Sequence, residues 1–232
     1  VAYWTFDGPD MFTRVADRSG LGNHGYLQNI AATTSATRPG KIGQGLLLDG
    51  VDDFVTVPYA GLDFERTDPF SVSMKVNDRS FVPGNTRGLW GRSVSGSNGQ
   101  IFGVTDSAVS GCCAAKSLFM FGSSNNNTRG FGVSNGTNGF VPYFGKWTHV
   151  TMTYDGSSGA SGVKIYINGV SQTLTIHVNL TMTTSWKPSP AVNWRIGDDY
   201  TSDYTPGVID DVRIYNRMLA TSTVQALYNL GR

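Results

Sequence analysis

VIDDVRIYNRMLATSTVQALYNLGR, residues 208–232, joins a β-strand to a short helical segment and decides how the rest of the chain is read. Side chains alternate along a strand, so over 208–215 Asp210 falls in line with Val212 and Ile214, while Ile209, Asp211, Arg213 and Tyr215 face the other way. A carboxylate in line with two aliphatic residues is costly unless a cation, a set of backbone amides or water at a strand end pairs with it. Past the strand, Ser222 and Gln225 have the spacing of a capping box, which predicts a helical turn over 223–228 with Leu230 and Gly231 as its stop.

Outward from this segment the chain reads as strand after strand. Residues 2–6, 45–49, 54–57, 70–76, 100–104, 117–121, 148–154, 163–167 and 192–196 carry strand patterns. Asp-Gly and Asn-Gly pairs punctuate them, and THVTMTYDGSSGASGVKIYINGV (148–170) is the strongest hairpin. With 29 glycines, 12% aromatic and only 15% charged residues, the composition suits short strands joined by turns. The 232 residues, with no linker and no change in composition, predict one domain over 1–232: all-β, two stacked antiparallel sheets, and one short C-terminal helical turn.

A formal charge of +1 and scattered lysines and arginines supply no field for nucleic acid. No apolar run approaches the roughly 20 residues that cross a bilayer, so no membrane insertion is expected. A start on VAYWTF and the polar loops SGSNG (95–99) and SSNNNT (123–128) fit a module of a larger multidomain protein, extracellular or on a cell surface. Cys112 and Cys113 are adjacent, either two thiols in a turn or an oxidised ring that stiffens a loop.

Eight segments in register carry a resemblance: AYWTFDG (2–8), DRSGLGNHG (17–25), PGKIGQGLLLDGVDDFVTVP (39–58), PFSVSMKV (69–76), KWTHVTMTYDG (146–156), GVKIYINGV (162–170), RIGDD (195–199) and GVIDDVRIYNRML (207–219). Together they resemble the laminin-G-like, concanavalin A-like lectin/glucanase superfamily, which implies a jelly-roll β-sandwich. The chain departs from the family at Lys75, where a tryptophan is usual, and over 79–145, which follows no family pattern. Glucanases of this superfamily use paired carboxylic acids on one strand. The only glutamate here, Glu65, lies in a turn, and the paired aspartates are sequence neighbours whose side chains diverge on a strand, so no catalytic residue is assigned. His177 is only a faint echo of the lyase site found on similar jelly rolls, and is read as structural.

The resemblance also implies a structural Ca²⁺, held by Asp210, by the backbone of Gly45 and by Asp7, with Asp17 and Asn23 of the polar turn as further oxygen donors. The competing reading is local: Asp7 and Asp49 precede glycines in turns, Asp17 caps a turn and Asp211 pairs with Arg213.

Sugar recognition needs flat rings for the apolar face of a saccharide, with amides and charged groups for its hydroxyls. Trp90, Trp186, Tyr200 and Tyr204 are candidate platforms, with Arg195 and Asp198, and also Asn193, Asp199 and Lys75, as polar partners. Trp186 is favoured because it sits in the loop TTSWKPSP, whereas Trp4, Trp147 and Trp194 follow strand patterns and read as core. The expectation is a non-catalytic, lectin-like module that binds a poly- or oligosaccharide. The rivals are a protein-binding adhesion or assembly domain of a surface or virion protein and a polysaccharide-degrading enzyme.

Overall fold

A computed structural model describes residues 1–11, 14–30, 36–78, 86–93, 98–110, 112–124, 129–188, 191–198 and 204–231. In chain order its strands are β1 (Ala2–Trp4), β2 (Tyr26–Gln28), β3 (Thr37–Pro39), β4 (Gln44–Asp49), β5 (Phe54–Val57), β6 (Phe70–Asp78), β7 (Thr86–Ser93) and β8 (Gly99–Thr105). They continue with β9 (Ser117–Ser124), β10 (Arg129–Ser134), β11 (Thr148–Tyr154), β12 (Val163–Ile167), β13 (Val170–Ser171), β14 (Thr175–Leu180), β15 (Trp194–Ile196) and β16 (Pro206–Tyr215), and α1 (Thr221–Asn229) closes the chain. They form two antiparallel eight-stranded sheets of a jelly-roll sandwich. The first runs β13-β12-β11-β6-β16-β4-β3, with β1 also paired to β16; the second runs β14-β10-β9-β8-β7-β15-β5-β2.

Alternation along the strands fills the space between the sheets. Phe70, Val72, Met74 and Val76 of β6 and Val150, Met152 and Tyr154 of β11 meet Trp90, Phe102, Leu118, Met120, Phe131 and Val133 from the second sheet, all buried. The terminal strands pair with each other, Ala2 opposite Ile214 and Trp4 opposite Val212, so both chain ends lie in one sheet.

β16 does not keep simple alternation. Its register against β6 shifts between Asp210 and Arg213, and Asp211 occupies the left-handed region at φ 54°. The extra residue of a bulge moves the side chains after it to the other face, and aspartate tolerates positive φ better than most residues. Val212 and Ile214 therefore point into the core, while Asp210 pairs in register with Lys75 on the outer face. The expected apolar line of Asp210, Val212 and Ile214 is not formed.

α1 packs on the outer face of the first sheet, with Val224 and Leu227 against Tyr166 and Leu219. It begins earlier than 223, and its N-cap residue, Ala220, makes no side-chain cap bond, so the expected Ser222–Gln225 capping box is absent. Ser71 anchors the approach to the helix, donating to Arg217 O at 2.8 Å and accepting from Leu219 N at 3.0 Å.

Candidate functional site

The second sheet places one row of residues across its outer face. Register pairs run from Thr56 to Arg195, Gly91, Ile101, Phe121 and Gly132 on β5, β15, β7, β8, β9 and β10 in turn. Core-facing neighbours fix this orientation: Trp194 and Ile196 flank Arg195, and Phe102 and Met120 are buried beside Ile101 and Phe121. From Arg195 to Gly132 the row crosses four strand spacings, about 19 Å at roughly 4.8 Å each. Glycines at two positions leave the floor low between half-buried apolar side chains. Gly91 is obligatory, since a Cβ there would lie 2.9 Å from Gln100 O.

Each end of the row has its own chemistry. At one end the Arg195 guanidinium lies 4.3 Å above the Phe54 ring, is ion-paired to the fully buried Asp198, and leaves 22% of its side chain exposed. Tyr204 is 6.1 Å from Phe54 between ring centroids. Toward the other end, the loop after β8 folds back so that Cys112 and Cys113, joined in a disulfide, pack with Phe119 against Ile101 and Phe121. Asp106 roots this loop by its 2.7 Å ion pair to the buried Arg87, which also pairs with Asp78 at 3.1 Å.

Of the sugar-binding residues expected from sequence, Arg195, Asp198 and Tyr204 come together here. Tyr200 and Asp199 lie outside the described residues. Trp90 is not a platform: it is fully buried and stacked on Trp194 with ring centroids 3.7 Å apart. Trp186 is not a platform either. Its loop folds inward, the indole donates to Phe64 O at 3.0 Å, and Phe70, Tyr154 and Phe131 surround it. Gly122 makes room, because a Cβ there would meet the indole at 2.8 Å. Glu65 accepts from Trp186 N at 3.3 Å and so holds the plug in place. Phe54, Ile101 and Phe121 escaped the sequence reading, although alternation in QIFGVT and SLFMF assigns Ile101 and Phe121 to the face opposite Phe102 and Met120.

The outer face of the first sheet has another character. Under α1 lie Ser73, Lys75, His149, Thr151, Asp210, Asp211 and Arg213, nearly all buried. Lys75 is therefore not available as a partner for a sugar on the other sheet. Its Nζ sits 3.3 Å from Asp211 and donates to Leu230 O at the end of α1, where a cation meets the negative pole of the helix. Asp211 also pairs with Arg213 at 3.0 Å. Burial opposes its charge, yet bonds from Tyr3 and Arg213 and the nearby Lys75 hold its carboxyl below the usual range. His149 bonds Ser73 at 2.8 Å; burial, with Lys75 next, pulls its imidazole down to about 4. His177, on β14, is bonded to Ser134 at 2.8 Å.

Asp210 is answered first by backbone amides. Its Oδ2 accepts from Lys41 N and Ile42 N, both at 2.9 Å, in the turn between β3 and β4. Asp7 grips the other side of that turn through Gln44 N at 2.9 Å, and Gly43, at φ 62°, has no room for a Cβ beside it. Gly45 stands directly against Asp210, since a Cβ there would lie 3.4 Å from the Asp210 Cβ. Asp210 Oδ1 is buried without any hydrogen-bond partner, and burial pushes the carboxyl up to about 7. An orphaned carboxylate oxygen near a second carboxylate and main-chain oxygens is a donor set that calcium accepts.

Asp17 and Asn23 do not belong to that set. Asp17 is occupied by four bonds, from Tyr3 N, Ser19 N, Ser19 Oγ and Asn23 N, and Asn23 donates to Val1 O. They form a clip on the N-terminal strand. Among the described residues, Asp49, Asp52 and Asp53 also cluster, but Asp49 and Asp53 accept amides of their own turn, Val51 N at 2.8 Å and Asp49 N at 3.0 Å.

A family model described as concanavalin A-like lectin/glucanases superfamily matches residues 49–225. Domain 4 of AbnA, a GH43 extracellular arabinanase from Geobacillus stearothermophilus, solved with arabinotriose, superposes with TM-score 0.68 at 23% identity, covering 98% of this chain and 97% of that one. The binding domain of Paraclostridial Mosquitocidal Protein 1 gives TM-score 0.64 at 16% identity; 99% of this chain spans 52% of that domain. Trypanosoma rangeli sialidase in complex with sialic acid gives TM-score 0.63 at 13% identity, covering 98% of this chain and 32% of the sialidase. A search of curated protein sequences finds no significant match.

Proposed function

The chain belongs to the concanavalin A-like lectin/glucanases superfamily, and from that membership we propose that it is a non-catalytic carbohydrate-binding module of a secreted or surface protein, binding an oligosaccharide along the outer face of the second sheet. The row from Arg195 to Gly132 carries this reading. The half-buried Phe121 and Ile101 offer apolar contact to ring faces, and Arg195, seated on the buried Phe54, donates to hydroxyls. The arabinotriose complex of AbnA domain 4 supports it by analogy of fold. Among the described residues, no helix is long and apolar enough to cross a membrane. Non-catalytic action rests on Glu65, the lone glutamate, being tied into the Trp186 plug by Arg66 N and Trp186 N.

The test is a glycan array followed by calorimetry on the best ligand with Arg195→Ala and Phe121→Ala. Loss of one aromatic or charged contact is expected to weaken binding by about tenfold or more. No binding to any glycan sinks the proposal and favours a protein partner, while release of reducing sugar from a bound polysaccharide shows an enzyme.

A structural calcium ion is part of the same reading. Asp210, Asp7 and the backbone of Gly45 would hold it, and it would neutralise buried carboxylate charge and tie the ends of the chain through the β3–β4 turn. An ion bound only by the folded state raises the melting temperature, so a chelator is expected to lower it in the wild type and leave Asp210→Asn unmoved. Asparagine keeps an acceptor for the two amides and removes only the charge. An identical chelator response in both proteins overturns the site.

A further inference from the structure

The outward row of the second sheet does not stop at Thr56. β2 adds one strand beyond β5, and its register places Tyr26 opposite Thr56 and Gln28 opposite Phe54. Directly opposed residues of an antiparallel pair share a face, so Tyr26, Thr56 and Arg195 form one line across β2, β5 and β15, about 10 Å long at roughly 4.8 Å per strand. Tyr26 stands on the edge strand and is 46% exposed. A single exposed tyrosine is ordinary on a protein surface; the side chains beside this one set it apart.

Between Tyr26 and Arg195 lie the polar groups that a sugar ring requires. Gln28 Nε2 donates to Thr56 Oγ1 at 3.2 Å and to Tyr26 O at 3.4 Å, and Thr56 Oγ1 donates to Tyr26 O at 3.3 Å. These bonds engage the amide nitrogen and leave the side-chain carbonyl oxygen, Oε1, as an acceptor for an incoming hydroxyl. The Arg195 guanidinium rests over Phe54, the cross-strand partner of Gln28, so a donor stands on the far side of the same space. Its charge is balanced by Asp198, so this end of the row makes no demand for an anion. An exposed ring for a C–H face, an acceptor and a charge-balanced donor for hydroxyls are the recognition set of a neutral sugar.

We propose that Tyr26 is the stacking platform of the glycan site and that, with Gln28 and Arg195, it holds one neutral sugar residue at the β2 end of the row. This rests on the oligosaccharide reading of the second sheet and fixes where on that face the strongest contact lies. The Tyr26 ring carries the apolar face of the sugar, Gln28 Oε1 accepts from one hydroxyl, and Arg195 donates to another.

Calorimetric titration of the best array glycan into the wild type, Tyr26→Ala, Tyr26→Phe and Gln28→Ala tests it. Tyr26→Ala is expected to weaken binding about tenfold or more at an unchanged melting temperature, since the residue is exposed on an edge strand. Tyr26→Phe keeps the ring and is expected to stay within about twofold of the wild type, and Gln28→Ala to lose about fivefold. Wild-type affinity in Tyr26→Ala, where Arg195→Ala weakens binding, overturns the platform and leaves the oligosaccharide reading standing. Equal losses in Tyr26→Phe and Tyr26→Ala overturn stacking in favour of a contact through the phenol hydroxyl. Tighter binding of a uronate-bearing analogue than of its neutral counterpart overturns the sugar class, and absence of any glycan binding by the wild type overturns both readings.

Discussion

The two sheets turn opposite kinds of surface outward. On the first, a charged and hydroxylated strip, Ser73, Lys75, His149 and Asp211, is buried beneath α1 and bonded within itself. On the second, Ile101, Phe121 and one held arginine, Arg195, remain partly exposed, and no helix lies over them among the described residues. The polar residues of the first sheet's face mark where the chain closes on itself. The open face is the one whose residues have the least need of each other, and substitutions there are expected to affect binding more than stability.

The sharpest break between the faces comes from Lys75→Ala. Removing one partner of a buried ion pair leaves Asp211 short of a cation and Leu230 O without its donor, which is expected to cost about 3–5 kcal/mol in urea unfolding. A loss under about 1 kcal/mol would mean that the face under α1 is as open as the other.

Acid addresses the same face next. The native imidazole of His149 titrates at about 4, below the ordinary value of 6.5, so between these pH values the unfolded chain binds more protons than the folded one. Stability from this residue is complete above pH 6.5 and is lost as the pH falls toward 4, by up to about 3 kcal/mol. His149→Gln is expected to flatten that part of the stability–pH curve; an unchanged slope would assign it to other groups.

On the second sheet the expected stability effects are small. Breaking the Cys112–Cys113 bond closes no long loop, so Cys112→Ala with Cys113→Ala should move unfolding by less than about 1 kcal/mol. Because the pair packs on Ile101 and Phe121, glycan affinity is expected to fall in the same variant. A large stability loss with intact binding would reverse the roles given to the two faces.

What sequence made legible follows the strength of local alternation. Residues 54–57, 148–154 and 163–167 are strands to the residue, because their inward and outward positions differ sharply in polarity. Arg195 was readable for the same reason, between Trp194 and Ile196. β7 and β10 were not, since Gly88, Gly91, Gly130 and Gly132 interrupt their pattern, and those glycines are what flattens the face. Asp210 was placed on the wrong face because a bulge at a non-glycine residue leaves no mark in the alternation. Trp186 misled because a loop that plugs the end of a sandwich has the composition of a surface loop, and only tertiary packing reveals its burial.

The most direct measurement is calorimetric titration of the best array glycan into the wild type, Arg195→Ala and Lys75→Met, the last keeping apolar volume under α1. Affinity reduced at least about tenfold in Arg195→Ala, titrated at a temperature where this variant is fully folded despite the loss of the Asp198 partner, with wild-type affinity in folded Lys75→Met, is the expected result. Equal affinity in the wild type and Arg195→Ala, or loss confined to Lys75→Met, contradicts placing the oligosaccharide on the second sheet.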